Sequence, residues 1–84
     1  MLGSKLVITV VDQKGTCAAG HKKGQQFIYE GKLPDMCPSA WYAIYPYLRI
    51  LQFGGNLPWE KESEAYIACP DHKNPVVFKL VRVK

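Results

Sequence analysis

The chain has 84 residues, of which 48% are hydrophobic, and a formal net charge of +4 at pH 7. This length accommodates one hydrophobic core, so we predict a single domain over residues 1–84, and the composition excludes a disordered chain. The charge is small and its lysines are scattered, which argues against a nucleic-acid-binding protein.

No segment predicts a membrane anchor or an export signal. The longest apolar run covers residues 6–11 and is far below the roughly 18 residues of a membrane span. Residues 1–5 are too few and too weakly apolar for a secretory signal. We therefore expect a cytoplasmic protein.

Two strands are predicted in the first third of the chain. Residues 5–11 are rich in β-branched side chains and are followed by a turn signal at residues 12–15. Residues 25–30 form a second, shorter strand that ends at Gly31. Between the two strands lies a glycine-punctuated loop, residues 15–24, which contains Cys17 and His21.

A helix is predicted to begin at Pro38, with Cys37 as its N-cap residue. Gly54-Gly55 marks its C-terminal end. Apolar residues recur between these points at helical spacing: Trp41, Ile44, Leu48 and Leu51. Pro46 lies inside the helix and deprives the Tyr42 carbonyl of its hydrogen-bond partner. We therefore expect one kinked helix or two short helices.

The last third predicts two further strands, residues 64–69 and 75–83, joined by a turn at residues 70–74. The order β-β-α-β-β predicts an α+β fold, in which one proline-kinked helix packs on a small, mostly antiparallel sheet. Both faces of the first and last strands are apolar, although a strand that is buried on one face alternates apolar with polar residues. Because one helix covers one face, we expect the other face to pack against a second copy, giving a homo-oligomer, or against a partner protein.

The three cysteines carry the strongest chemical signal. Proline follows Cys37 and Cys69, which stiffens the chain beside each sulfur. An odd number of cysteines excludes a complete set of intramolecular disulfides, and cytosolic cysteines are commonly thiols, metal ligands or redox groups. Cys17 and His21 are spaced so that both can reach one ion. We predict a metal site for zinc, iron or an iron–sulfur cluster, with these ligands: Cys17, His21, Cys37 and Cys69.

The leading interpretation is thus a small thiol-based binding module, and two alternatives stay open. The cysteines can be small hydrophobic residues of the core, in which case the protein serves in interaction or assembly without catalysis. A helix N-terminus also favours thiolate, which makes Cys37 the candidate nucleophile of a redox or transferase enzyme. Binding is favoured over catalysis. The aromatic residues near the helix are expected mainly in the core and in interfaces.

Short motifs in a fixed order run along nearly the whole chain. The chain resembles a family of small bacterial and archaeal proteins of uncharacterised function that share these motifs: Gly15-Thr16-Cys17, Cys37-Pro38-Ser39-Ala40-Trp41, Gly54-Gly55, Pro58-Trp59, Cys69-Pro70-Asp71 and Pro75-Val76-Val77-Phe78. The resemblance implies a prokaryotic protein in which the three cysteines belong to the family pattern. It implies no activity and no cofactor.

Overall fold

Four strands and one helix build the fold in the computed structural model, which describes residues 2–17 and 19–83. Along the chain the elements are β1 (Lys5–Gln13), β2 (Gln26–Tyr29), α1 (Pro38–Gln52), β3 (Glu64–Ala68) and β4 (Val76–Val83). The predicted α+β fold and its β-β-α-β-β order are confirmed. No helix in the described part of the chain is long and apolar enough to cross a membrane.

The sheet is antiparallel throughout, and its strand order is β2-β1-β4-β3. The two long strands, β1 and β4, lie at the centre, and their register shifts between Val10 and Asp12. Because each strand runs opposite to its neighbour, β1 and β3 both end beside the start of β4. The loops that follow β1 and β3 therefore meet at one end of the sheet.

Helix α1 packs against one face of the sheet and encloses the core. Its buried stripe includes Ile44, Leu48 and Leu51, as the helical spacing predicts. The sheet contributes the alternate residues of its central strands, which are fully buried: Leu6, Ile8, Val10, Val76, Phe78 and Leu80. Each such side chain stabilises the fold by roughly 1.5–3 kcal/mol relative to an exposed one.

The proline inside α1 does not divide it. The helix is continuous over Pro38–Gln52, so of the two expected outcomes the single helix is confirmed and the two short helices are not found. Both Pro46 and Tyr42 are exposed, and the Tyr42 side chain keeps 85% of its accessible surface. The Tyr42 carbonyl that lacks its helical partner is thus on the water-facing side, where water can satisfy it.

A buried arginine closes the end of the core away from the helix N-terminus. The Arg82 guanidinium donates to the carbonyl oxygens of Leu51, at 2.9 Å, and Gly55, at 2.6 Å. It also donates to Asn56 Oδ1 and to Ser63 Oγ, each at 2.9 Å. Arg82 thereby ties β4 to the C-terminal turn of α1 and to the segment that leads into β3.

The second face of the sheet is not covered by any element within residues 2–17 and 19–83. Val7 and Val81 lie opposite each other at its centre, and Ile28 on β2 extends the same apolar row. Val7 and Val81 are half-buried by their neighbours alone, and Ile28 is exposed. The apolar second face predicted from the strand pattern is therefore present.

Candidate functional site

The three cysteines line one small cavity at the end of the sheet where β1 and β3 finish. The cavity has a volume of about 160 Å³, and Ser39, Asp71 and Asn74 also line it. All three cysteines are free, half-buried and packed against the edge of the core. Their convergence follows from topology: Cys17 follows β1, Cys69 follows β3, and α1 begins at the same end with Cys37.

Cys69 is held by two hydrogen bonds to Val76 across the last turn. The Cys69 N–H donates to the Val76 carbonyl at 2.9 Å, and the Val76 N–H donates to the Cys69 sulfur at 3.3 Å. An N–H group directed at sulfur supports negative charge there, and such bonds are a common feature around metal-bound thiolates. The Cys69 sulfur is therefore held in position beside the Val76 N–H.

The turn after Cys69 is built by Asp71, as expected from its position. One Asp71 carboxylate oxygen accepts from the backbone N–H groups of Lys73, at 3.0 Å, and Asn74, at 3.2 Å. These two bonds, the Lys73 bond foremost, hold the pKa of Asp71 below its ordinary value. The Asn74 side chain in turn accepts from the Thr16 N–H at 3.0 Å. The loops after β1 and β3 are thus joined beside the cavity.

Cys37 is the N-cap residue of α1, as predicted, with Pro38 at the first helical position. Its carbonyl accepts the first helical bond from the Trp41 N–H at 2.9 Å. Its side chain makes no capping hydrogen bond. The Cys37 thiol is therefore not engaged in capping and remains available to the cavity.

His21 is a buried residue that fastens the start of the helix. Its Nε2 accepts the Cys37 backbone N–H at 3.0 Å, which places the ring proton on Nδ1, 3.2 Å from Gln25 Oε1. The ring packs edge-on against Phe27 and Phe78, with centroids 5.4 and 5.9 Å away. Both ring nitrogens are thus engaged, and His21 does not line the cavity of the three cysteines.

This arrangement bears on His21 both as a metal ligand and as a base for a cysteine nucleophile. As a metal ligand it would have to release Cys37 or Gln25, because each of its nitrogens already has a partner. As the base of a cysteine nucleophile it would need a bond to the thiol, and its bond is to the Cys37 backbone. The other histidine, His72, is exposed in the turn after β3.

The cavity is lined by three thiols, but they are not spaced for a metal as they stand. Among residues 2–17 and 19–83, no group of three or more His, Cys, Asp or Glu side chains is placed to hold a metal ion. Zinc–sulfur bonds of about 2.3 Å require sulfur atoms about 4 Å apart. A metal therefore requires at least one cysteine to move inward.

Sequence reasoning missed several features of the surface near α1. The aromatic residues were expected in the core and in interfaces; Tyr42, Phe53 and Trp59 are not in the core, since they keep 85%, 54% and 67% of their accessible surface. Asn74 was not recognised as a residue of the cavity. Asn74 directly precedes Pro75 and ends a turn that begins with an aspartate, and this pattern could have indicated a side chain that bonds to nearby backbone.

No protein-family model matches this chain, and neither a curated protein nor a solved structure matches it. The resemblance to small bacterial and archaeal proteins is therefore a prediction carried by the motifs alone. The features that support a function are the cavity and the residues that line it.

Proposed function

We propose that the protein is a small cytoplasmic binding module that coordinates a soft metal ion, zinc or iron, through Cys17, Cys37 and Cys69. The observation that carries this proposal is that cysteines from three separate segments line one cavity. Cysteines that act as small hydrophobes are commonly buried, whereas all three are half-buried here. Thiolate is the preferred protein ligand of soft and borderline metals.

The Cys37 backbone and the Cys69 sulfur are held in advance, and Cys17 completes the site. Cys37 is held by its place at the start of α1, and Cys69 by its bonds across the turn. Cys17 is preceded by Gly15 and followed by Gly20, both at positive φ, and its side chain has no hydrogen bond among the described residues. We infer that Cys17 moves inward to bring its sulfur within about 4 Å of the other two when an ion binds.

Metal binding of this kind is coupled to protons and to stability. Thiols must lose their protons to bind, so affinity falls as the pH is lowered. A cation between three thiolates also offsets their mutual repulsion in a half-buried cavity. The bound ion joins the β1–β2 loop, the start of α1 and the β3–β4 loop, so the loaded protein melts at a higher temperature than the metal-free protein.

The proposal is tested by anaerobic titration of the reduced protein with cobalt(II), whose bonds to thiolate absorb in the near ultraviolet. We expect one ion per chain. Serine at position 17, 37 or 69 lowers the affinity in each case, and the matched variant Ser39→Ala, which changes another cavity residue, leaves it unchanged. A protein that shows no thiolate band, and whose melting temperature is the same with cobalt(II) and with chelator, would refute the metal site.

A second candidate function is assembly through the uncovered sheet face. The apolar centre of this face is flanked by the ion pairs Lys5–Glu30, at 4.0 Å, and Lys79–Glu64, at 3.7 Å. These pairs leave the face balanced, although the chain carries a net charge of +4. A second copy would thus meet apolar surface without net repulsion, which favours a homo-oligomer.

Sedimentation equilibrium tests this assembly. We expect a dimer or a larger species at micromolar concentration, and Val81→Lys, at the centre of the face, shifts the protein to monomer. Lys61→Glu, at an exposed site outside the sheet, serves as the control. A wild-type protein that is monomeric up to about 100 μM would contradict assembly through this face.

A further inference from the structure

A second cavity shares no lining residue with the cavity of the three cysteines. It has a volume of about 420 Å³ and lies between the C-terminal part of α1 and the segment at the end of β2. The residues that matter here are Tyr29, Glu30, Lys32, Arg49, Gln52 and Phe53. Neither the metal site nor the sheet face accounts for it.

Arg49 is held in a defined position at this cavity. Its guanidinium carbon lies 4.7 Å from the Phe53 ring centroid and 5.6 Å from that of Tyr45. One of its N–H groups donates to Gln52 Oε1 at 3.1 Å. Gln52 is buried, and its amide nitrogen donates to the Leu2 carbonyl at 2.9 Å. A guanidinium held by aromatic faces and a buried amide is pre-organised to grip a planar anion with two parallel bonds.

The charges around the cavity favour an anionic ligand. Among the described residues, Arg49 and Lys32 have no carboxylate within 4.0 Å, whereas Glu30 lies 4.0 Å from Lys5. The lining thus contributes two positive charges and one negative charge. The lining is therefore net positive and attracts an anion.

Apolar surface adjoins these cations. Phe53 keeps 54% of its accessible surface and Leu2 keeps 81%, although each is a large hydrophobic residue. Exposed apolar side chains beside a positioned arginine match a ligand in which an anion adjoins an apolar body. We propose that this cavity binds a carboxylate attached to an apolar or aromatic group, in which Arg49 grips the carboxylate and Phe53 contacts the body.

The test follows backbone amide resonances of the full chain by NMR during titration with 3-phenylpropionate. We expect saturable shifts centred on Arg49, Gln52 and Phe53, and binding that is at least about tenfold weaker for the neutral 3-phenylpropanamide, because a charge-assisted pair is lost. Arg49→Lys keeps the positive charge but loses the two parallel N–H donors of the guanidinium, and it weakens binding by a similar factor. The control Lys61→Gln, a cation outside the cavity, leaves binding unchanged.

A tripeptide, Gly-Gly-Phe, with a free or an amidated C-terminus distinguishes the two sources of such a carboxylate, a peptide C-terminus and a small acid. Tighter binding of the free-acid peptide than of 3-phenylpropionate assigns the cavity to a peptide C-terminus, and the reverse order assigns it to a small acid. If Arg49→Lys perturbs folding, Lys32→Gln is measured in its place, and we expect about threefold to tenfold weaker binding. Equal affinity for acid and amide, or no saturation at 10 mM, overturns the proposal.

Discussion

Replacing His21 by phenylalanine tests the role that the structure gives this buried ring. Phenylalanine keeps the edge-on contacts with Phe27 and Phe78 but removes the acceptor of the Cys37 N–H. A buried donor left without a partner costs about 1–3 kcal/mol. Gln25 is exposed, so water can replace its lost bond. We therefore expect His21→Phe to lower the free energy of unfolding by about 1–3 kcal/mol in urea titration, and the melting temperature by about 4–8 °C per kcal/mol.

Glutamine at the same position separates a structural role from metal ligation. The Gln side-chain oxygen can reach the place of Nε2 and accept the Cys37 N–H, but an amide is a poor ligand for a soft metal. If His21 only positions Cys37, His21→Gln recovers at least half of the lost stability and binds cobalt(II) within about threefold of wild type. If His21→Gln recovers stability but loses metal affinity as fully as His21→Phe, the reasoning is refuted and His21 is the fourth ligand. His72→Phe, in an exposed turn, controls for loss of a histidine and should change stability by less than about 0.5 kcal/mol.

Three further predictions concern stability, and urea unfolding measures each. Gly20→Ala, at φ 78° and facing open space, should lower the free energy of unfolding by about 1–2 kcal/mol. Gly15→Ala, at φ 67°, should lower it further, because the added methyl group meets the Asn74 amide oxygen. Equal losses of stability in the two variants would contradict the close approach of Asn74 to Gly15. Backbone donors keep the pKa of Asp71 below its ordinary value. The contribution of Asp71 to stability is therefore full above about pH 4 and is lost as the pH falls through the folded-state pKa. If Asp71→Asn leaves the fall of stability at acid pH as steep as in wild type, this assignment is wrong. Arg82→Met leaves buried oxygen acceptors unpaired and costs about 3 kcal/mol, whereas a change below 1 kcal/mol would show that the four bonds are replaceable.

The elements of the fold could be predicted because their signals are local. The β-branched residues of β1 and β4, the proline at the first turn of α1 and the aspartate that opens the last turn are each signals from a few neighbouring residues. At Pro46 the sequence left two outcomes open, one kinked helix or two short helices, and the structure has one helix. The helix continues through Pro46 because the Tyr42 carbonyl, which loses its hydrogen-bond partner, lies on the exposed side where water can bind it. The local sequence pattern does not show that water reaches this carbonyl.

The arrangement of the site depends on contacts between distant residues, and sequence reasoning could only raise it as a hypothesis. That Cys17 and Cys69 share a cavity follows from strand order, since β1 and β3 both pair antiparallel with β4 and end beside its start. The bond from Cys37 to His21 spans 16 residues and has no local signature.

The central claim, that three sulfurs meet around one ion, is tested most directly by X-ray absorption at the metal edge of the zinc-loaded protein. The account predicts three sulfur scatterers at about 2.3 Å, with one sulfur lost in each of the three single cysteine-to-serine variants. A coordination shell of nitrogen and oxygen alone, or a spectrum that the serine variants leave unchanged, would contradict it.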